Sequence, residues 1–321
     1  MPSPSLIILP GNEGHLLRKE LAAAFAALGC DAIISDPALL HDPNHAFRLT
    51  ELLDGRPSLL LSINGSGLPP LSRTLDICGP GNCTVAIWFV DNPWNVLSSV
   101  GTPRWRTLPL FVTDKSFISP LKANGADKVH HLPLAASFAF FGPDPERDTA
   151  YPPPDDLAPF VFVGRSAFPS REIFFENIAL PTEVCLESEH MLHKGLRPDL
   201  AWWEQRLGSR VERFWPGRDA RRTACGAEEA NRLWRLQCLA GAAAAGKLFN
   251  ESKSLSGPDL DIFGDLEWEQ SLSPGVRLRQ PIDYYARLPG IYRQASYNIS
   301  PTSLQLPHGL NQRHFDVWAA G

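Results

Sequence analysis

Tyr297 to Gly321 reads Y-N-I-S-P-T-S-L-Q-L-P-H-G-L-N-Q-R-H-F-D-V-W-A-A-G. A short strand-like run through Asn298 leads into Ser300, Pro301 and a polar loop containing Gly309. Phe315 to Ala320 then follow at helical spacing. A strand, a polar loop and a helix start in that order present a ligand site at a strand's carboxyl end, as α/β proteins do. The unit ends in mid-pattern at Gly321, where another strand and closing helices are expected, so the second domain is expected to be incomplete at its C-terminus, with its ligand pocket open on one side.

Such a strand needs neighbours, and the rest of the chain supplies candidates. Ser5 to Pro10 reads as a strand, Gly11-Asn12-Glu13-Gly14 as a turn and Leu16 to Leu28 as a helix stopped by Gly29. Further strands are expected at Ala32–Ser35, Leu59–Ile63, Thr84–Val90, Leu108–Val112 and Lys128–Leu132. The third runs into Asn64-Gly65-Ser66-Gly67 and the fourth into Asp91-Asn92-Pro93-Trp94. Gly142 to Asp156 is rich in proline and charge and reads as a linker without an element of its own. A second series starts at Pro159–Val163, which ends in Gly164-Arg165-Ser166, with a helix expected from Ser170, Arg171 and Glu172. Residues 202–249 read as mainly helical. Strands return at Leu260–Phe263, Val276–Arg279 and Ala295–Ile299, with a helix over Asp283–Ala295. The expected fold is α/β, with two Rossmann-like, doubly wound parallel-sheet domains facing a cleft: 1–141, a linker 142–156, and 157–321.

Composition narrows the function. The 321 residues carry 30 basic and 35 acidic side chains, a net charge of −5, which disfavours a nucleic-acid or polyanion binder. Six scattered cysteines without a disulfide rhythm, no leader-like stretch and no apolar run of spanning length lead to the expectation of a reduced, cytoplasmic protein with no transmembrane segment. Gly241 to Lys247 nearly spells a phosphate-cradling loop, but Leu248 replaces the hydroxyl and the run lies inside an expected helix. Asp259-Leu260-Asp261 has the spacing of a metal-binding D-x-D, but it enters a strand of the wrong architecture for one. Cys78 with Cys83, His41 with His45, and His190 with His193 each lack the further pair a zinc site needs, so no metal ligands are assigned.

D-V-W-A-A-G at Asp316–Gly321 resembles the E-A-x-A-x-G helix start of GT-B glycosyltransferases that use sugar nucleotides. L-P-H-G-L-N-Q-R-H-F-D is similar to the spore-maturation CgeB-type branch. V-H-H-L-P-L-A-A-S-F-A-F-F-G-P (Val129–Pro143), F-V-G-R-S (Phe162–Ser166), L-D-I-F-G-D (Leu260–Asp265) and Q-P-I-D-Y-Y-A-R-L-P-G-I-Y (Gln280–Tyr292) resemble other parts of that architecture in the same order. The resemblance spans nearly the whole chain, and the tail is its specific part.

The resemblance implies transfer of a sugar from a nucleoside diphosphate-sugar co-substrate to a hydroxyl acceptor, a glycan, protein or small molecule, with no tightly bound cofactor or metal. Two glutamates separated by seven residues mark the donor loop in related retaining enzymes. Here that frame holds His308 and Asp316, so His308 is implied at the sugar and Asp316 at the ribose. Arg165, Arg171 and Arg313, with Gly164, Asn311, Gln312 and Gly321, are the implied donor and nucleotide residues, since a departing diphosphate needs positive charge where its own develops. Gly11, Asn12, Gly14, Asn64 and Gly65 are implied on the acceptor side, with Asp91 as the candidate general base. A non-catalytic sugar-nucleotide or glycan binder and a nucleotide-sugar epimerase remain as alternatives.

Overall fold

The computed structural model describes residues 5–11, 17–35, 49–53, 55–68, 71–79, 82–98, 100, 102–168, 170–208 and 218–321, the side chains of 218–220 apart. Asn12, Gly14, His41 and His45 therefore lie outside the described residues. The chain divides into two compact units. The first holds Met1–Leu134, Glu204–Ala224 and Leu306–Gly309, and the second Ala135–Trp203, Cys225–Gln305 and Leu310–Gly321.

The first unit is built on a six-stranded parallel sheet. Its strands are β1 (Leu6–Pro10), β2 (Asp31–Ser35), β3 (Ser58–Ile63), β4 (Cys83–Phe89), β5 (Pro109–Val112) and β6 (Lys128–His131), in the order β2-β1-β3-β4-β5-β6. Every residue of β1 is buried, as expected of an unbroken apolar run covered on both faces. Parallel pairing requires crossovers, supplied here by helices such as Arg18–Ala27 and Leu71–Cys78.

The second unit carries a four-stranded parallel sheet of β7 (Phe160–Val163), β8 (Leu260–Phe263), β9 (Val276–Arg279) and β10 (Tyr297–Ile299), ordered β10-β7-β8-β9. The strand period of two assigns its faces. Phe162, Leu260 and Ile262 pack on Leu239, Ala242 and Ala243 of the helix Arg218–Lys253. Val161 and Phe263 pack on Ile291 of the helix Leu288–Gln294. The sheet is thus covered on both faces, as expected, and Gly241–Lys247 lies inside the long helix.

Two local readings change. The stretch read as a bare linker contains the helix Pro145–Ala150, because Asp144 caps it by accepting from the Glu146 and Arg147 backbone N–H groups and Pro145 suits its first position. The helix after Ser170 is a single turn, Arg171–Phe174. Ser170 sits at φ 61° and makes no capping bond.

Asp261, in the middle of β8, ties this unit together. Its side chain is completely buried, and its carboxylate accepts from Arg277 Nε (2.6 Å) and Nη2 (2.9 Å) and from the Ala158 backbone N–H (2.9 Å). Arg279 Nε lies 3.0 Å away. Both arginines also reach Asp156, so the segment entering β7 is bonded to β8 and β9. Removing one partner of a buried charge set leaves the others uncompensated, a loss of about 3 kcal/mol. We expect Asp261→Ala to lower the unfolding free energy by about that amount in urea denaturation; a change no larger than that of a surface aspartate would refute the role.

Candidate functional site

Both sheets reverse their direction of growth. In the first, β2 is added on one side of β1 and β3 to β6 on the other. In the second, β8 and β9 are added on one side of β7 and β10 on the other. The reversal opens a crevice at the carboxyl ends of the two strands that flank it, since the loops leaving them run to opposite sides. The topological switch points therefore lie between β1 and β3 and between β7 and β10.

In the first unit Gly11 follows β1, and its N–H bonds Ser35 O at 2.8 Å. Asn64 follows β3 in the left-handed region at φ 50°. Its side-chain oxygen accepts from Val90 N (2.9 Å) and Asp91 N (3.3 Å), while its amide donates to Asp91 Oδ2 (2.7 Å). Gly65 has φ 71°, and a Cβ there would lie 2.7 Å from Val96 Cγ1, so a tight turn requires glycine. Asp91 is exposed beside the buried Asn92, whose side chain caps the helix Pro93–Leu97 through Trp94 N. Asn92 thus sets the turn, and the Asp91 carboxylate is directed outward with Asn64. His308, counted with this unit, is exposed, and its backbone N–H donates to the buried Asp114 Oδ2 at 2.8 Å.

In the second unit the ends of β7, β8 and β10 converge. Gly164 follows β7. A Cβ there would meet Arg313 Nη2 at 3.1 Å, and one on Gly264, after β8, would meet Gly164 O at 2.5 Å. The two strand ends thus approach backbone to backbone, with the Arg313 guanidinium alongside. Arg313 makes no hydrogen bond or ion pair among the described residues. Near it lies Tyr292, 6% exposed, whose hydroxyl has no hydrogen-bond partner. Burial pushes that hydroxyl's pKa up, with Arg313 opposing and Asp316 adding to the rise.

Behind this pair, Arg235 donates to Arg165 O (2.9 Å) and Ser166 O (2.8 Å) and lies 3.6 Å from Glu228. Burial lowers its pKa, and nearby Arg313 adds to the effect. Ser166 N donates to Asp265 Oδ2 (3.0 Å), and Ser166 Oγ stands 2.7 Å from Asp265 Oδ1 and 2.9 Å from Glu267 Oε2. Arg165 itself is exposed and its guanidinium has no partner among the described residues.

The remaining expected donor residues have internal duties. Arg171 is paired with Glu229 at 2.7 Å. Asn311 accepts from Ser300 Oγ and donates to Pro301 O. Gln312 donates to Asp316 Oδ1 and Ala135 O. Asp316, expected to face a ribose, is fully buried inside the helix Gln312–Ala320, and Tyr284 and Gln312 each donate to one of its oxygens at 2.7 Å. A carboxylate so enclosed anchors its helix and presents no oxygen outward. Gly321 follows that helix at φ 110°.

Tyr292, Arg235, Glu228 and Asp265 were not singled out from sequence. Only the G-D pair after β8 carried a readable signal for any of them. No family model matches the chain, and no curated protein or solved structure matches it.

Glu228 is 5% exposed, with Gln305 Nε2 3.4 Å away, and burial raises its pKa above the ordinary value of 4.5. The folded state then holds this proton more tightly than the unfolded state. Its contribution to stability is full below pH 4.5 and is lost as pH rises through the raised folded value. We expect Glu228→Gln to raise the melting temperature at pH 7 and the gain to vanish near pH 4; a gain constant across that range in thermal unfolding would rule out the buried carboxylate as its source.

Proposed function

We propose that the protein binds a nucleoside diphosphate-sugar and transfers the sugar to a hydroxyl acceptor. The observation that carries this reading is the Arg313 guanidinium, which has no hydrogen bond or ion pair among the described residues and lies against Gly164 just past the end of β7. A phosphoryl oxygen would take charge and a hydrogen bond from Arg313. Gly164, lacking a side chain, lets the Phe162 ring and the Arg313 guanidinium pack against the strand end. Arg165 adds a second exposed cation at the same strand end.

In the proposed reaction an acceptor oxygen attacks the anomeric carbon. The new C–O bond forms as the anomeric bond to the diphosphate breaks, the bonding pair leaves with the diphosphate, and the acceptor proton passes to a carboxylate. Arg313 acts on the leaving group, stabilising charge that grows in the transition state.

Calorimetric titration with uridine, guanosine, cytidine and thymidine diphosphates tests the site. At least one is expected to bind, and Arg313→Ala to weaken it tenfold or more, about 1.4 kcal/mol. Absence of binding by all four overturns the proposal, and binding without nucleotide release from any diphosphate-sugar across a panel of hydroxyl acceptors reduces it to a binding protein.

A further inference from the structure

We infer that a cavity of the second unit, walled by the prolines at 152–154 and floored by β8, binds a small carboxylic acid with an aromatic or branched aliphatic body, and that Arg287 holds its carboxylate. The inference does not depend on the nucleotide reading. The cavity measures about 280 Å³, at the small end of the roughly 300–1,000 Å³ usual for ligand pockets. All of its lining belongs to the second unit. Its floor is apolar and buried: Phe263, the last residue of β8, and Ile291 of the helix Leu288–Gln294. Ile282, half-buried, adds to the apolar lining.

The proline wall is fixed before any ligand arrives. Asp156, just beyond it, accepts from Arg277 and Arg279 of β9. Gln294 Nε2 donates to Pro154 O at 2.9 Å, and a Cβ on Gly290 would meet Pro153 Cδ at 3.5 Å. Each proline ring also locks its own φ, so the wall is stiff and binding need not order it.

The charges of the lining have one sign. Arg279 and Arg287 line the cavity, and no acidic side chain does. Arg279 is already answered by Asp156 and Asp261, and its guanidinium lies over the Phe263 ring at 5.7 Å. Arg287 is exposed, and its guanidinium has no hydrogen bond or ion pair among the described residues. Asp283, one helical turn earlier, turns Oδ1 to the Tyr285 and Ala286 backbone N–H groups instead. The prolines carry no N–H, so the wall competes for no anion. One uncommitted guanidinium matches one negative charge, and its planar fork matches a carboxylate. The apolar floor calls for a body that a bare inorganic anion lacks.

The test titrates the full chain with benzoate, phenylacetate and isovalerate, each beside its primary amide, by ligand-observed NMR up to millimolar concentration. At least one acid is expected to bind tenfold or more tighter than its amide, the size of a charge-assisted hydrogen bond. Arg287→Gln is expected to bring that ratio close to one. Ile282→Phe, which fills the cavity, is expected to abolish binding of acid and amide alike, whereas Arg313→Ala leaves both unchanged and so separates this cavity from the nucleotide site. No binding by any acid, equal binding of acid and amide, a ratio that survives Arg287→Gln, or loss of binding in folded Arg313→Ala overturns the inference. Displacement of the acids by an equal concentration of inorganic phosphate also overturns it, by showing a site for any anion. Should Ile282→Phe not fold, Arg287→Gln, a change at an exposed side chain, still decides. Failure of every nucleotide to bind would leave this inference standing.

Discussion

Parallel strands cannot be joined by tight turns. Each must be followed by a crossover that returns the chain to the same end of the sheet, and every strand therefore delivers its loop to one edge. When the winding then reverses, two adjacent loops part and leave a crevice. Both units obey this constraint, with reversals at β1/β3 and β7/β10. The residues of the candidate site follow from it: Gly11, Asn64 and Asp91 at one carboxyl edge, Gly164 and Arg313 at the other. Neither edge was built by a special motif.

The electrostatics of the second unit fall into two classes. Some charges are fully committed to holding the sheet and its flanking segments. Asp261 accepts from an arginine side chain of β9 and a backbone amide, and Asp316 is enclosed by Tyr284 and Gln312. Others are left incomplete at the strand ends: Arg313 has no counter-charge in hydrogen-bonding range, Tyr292 has no partner, and Ser166 stands between two carboxylates. Asp316, enclosed by two donors, serves the fold.

Much of the architecture was legible in the chain. Apolar runs such as Leu6–Pro10 and Phe160–Val163 are too short and too uniformly apolar for amphipathic helices, and turn residues bound them, so both parallel sheets could be anticipated. The glycine after β7 and the Asn-Gly after β3 were legible because turn chemistry is local. Less legible was the helix Pro145–Ala150, where a high proline count obscured a capping aspartate and a proline in the one helical position that tolerates it. Arg171 and Arg165 look alike in the sequence, yet one is consumed by Glu229 and the other is exposed.

The sequence by itself determined the strands, the turns that end them and the α/β class, because each depends on residues a few positions apart. Which of its many polar residues remain open to a ligand was decided only by tertiary structure. Asp316 is an acidic residue at an expected helix start. Burial and a hydrogen-bond partner drawn from a distant part of the chain, Tyr284, close it to a ligand. Strand order likewise cannot be read from local propensity, since it is set by long-range pairing such as Tyr297 with Phe160. It is that pairing which places β10 beside β7 and brings Arg313 to Gly164.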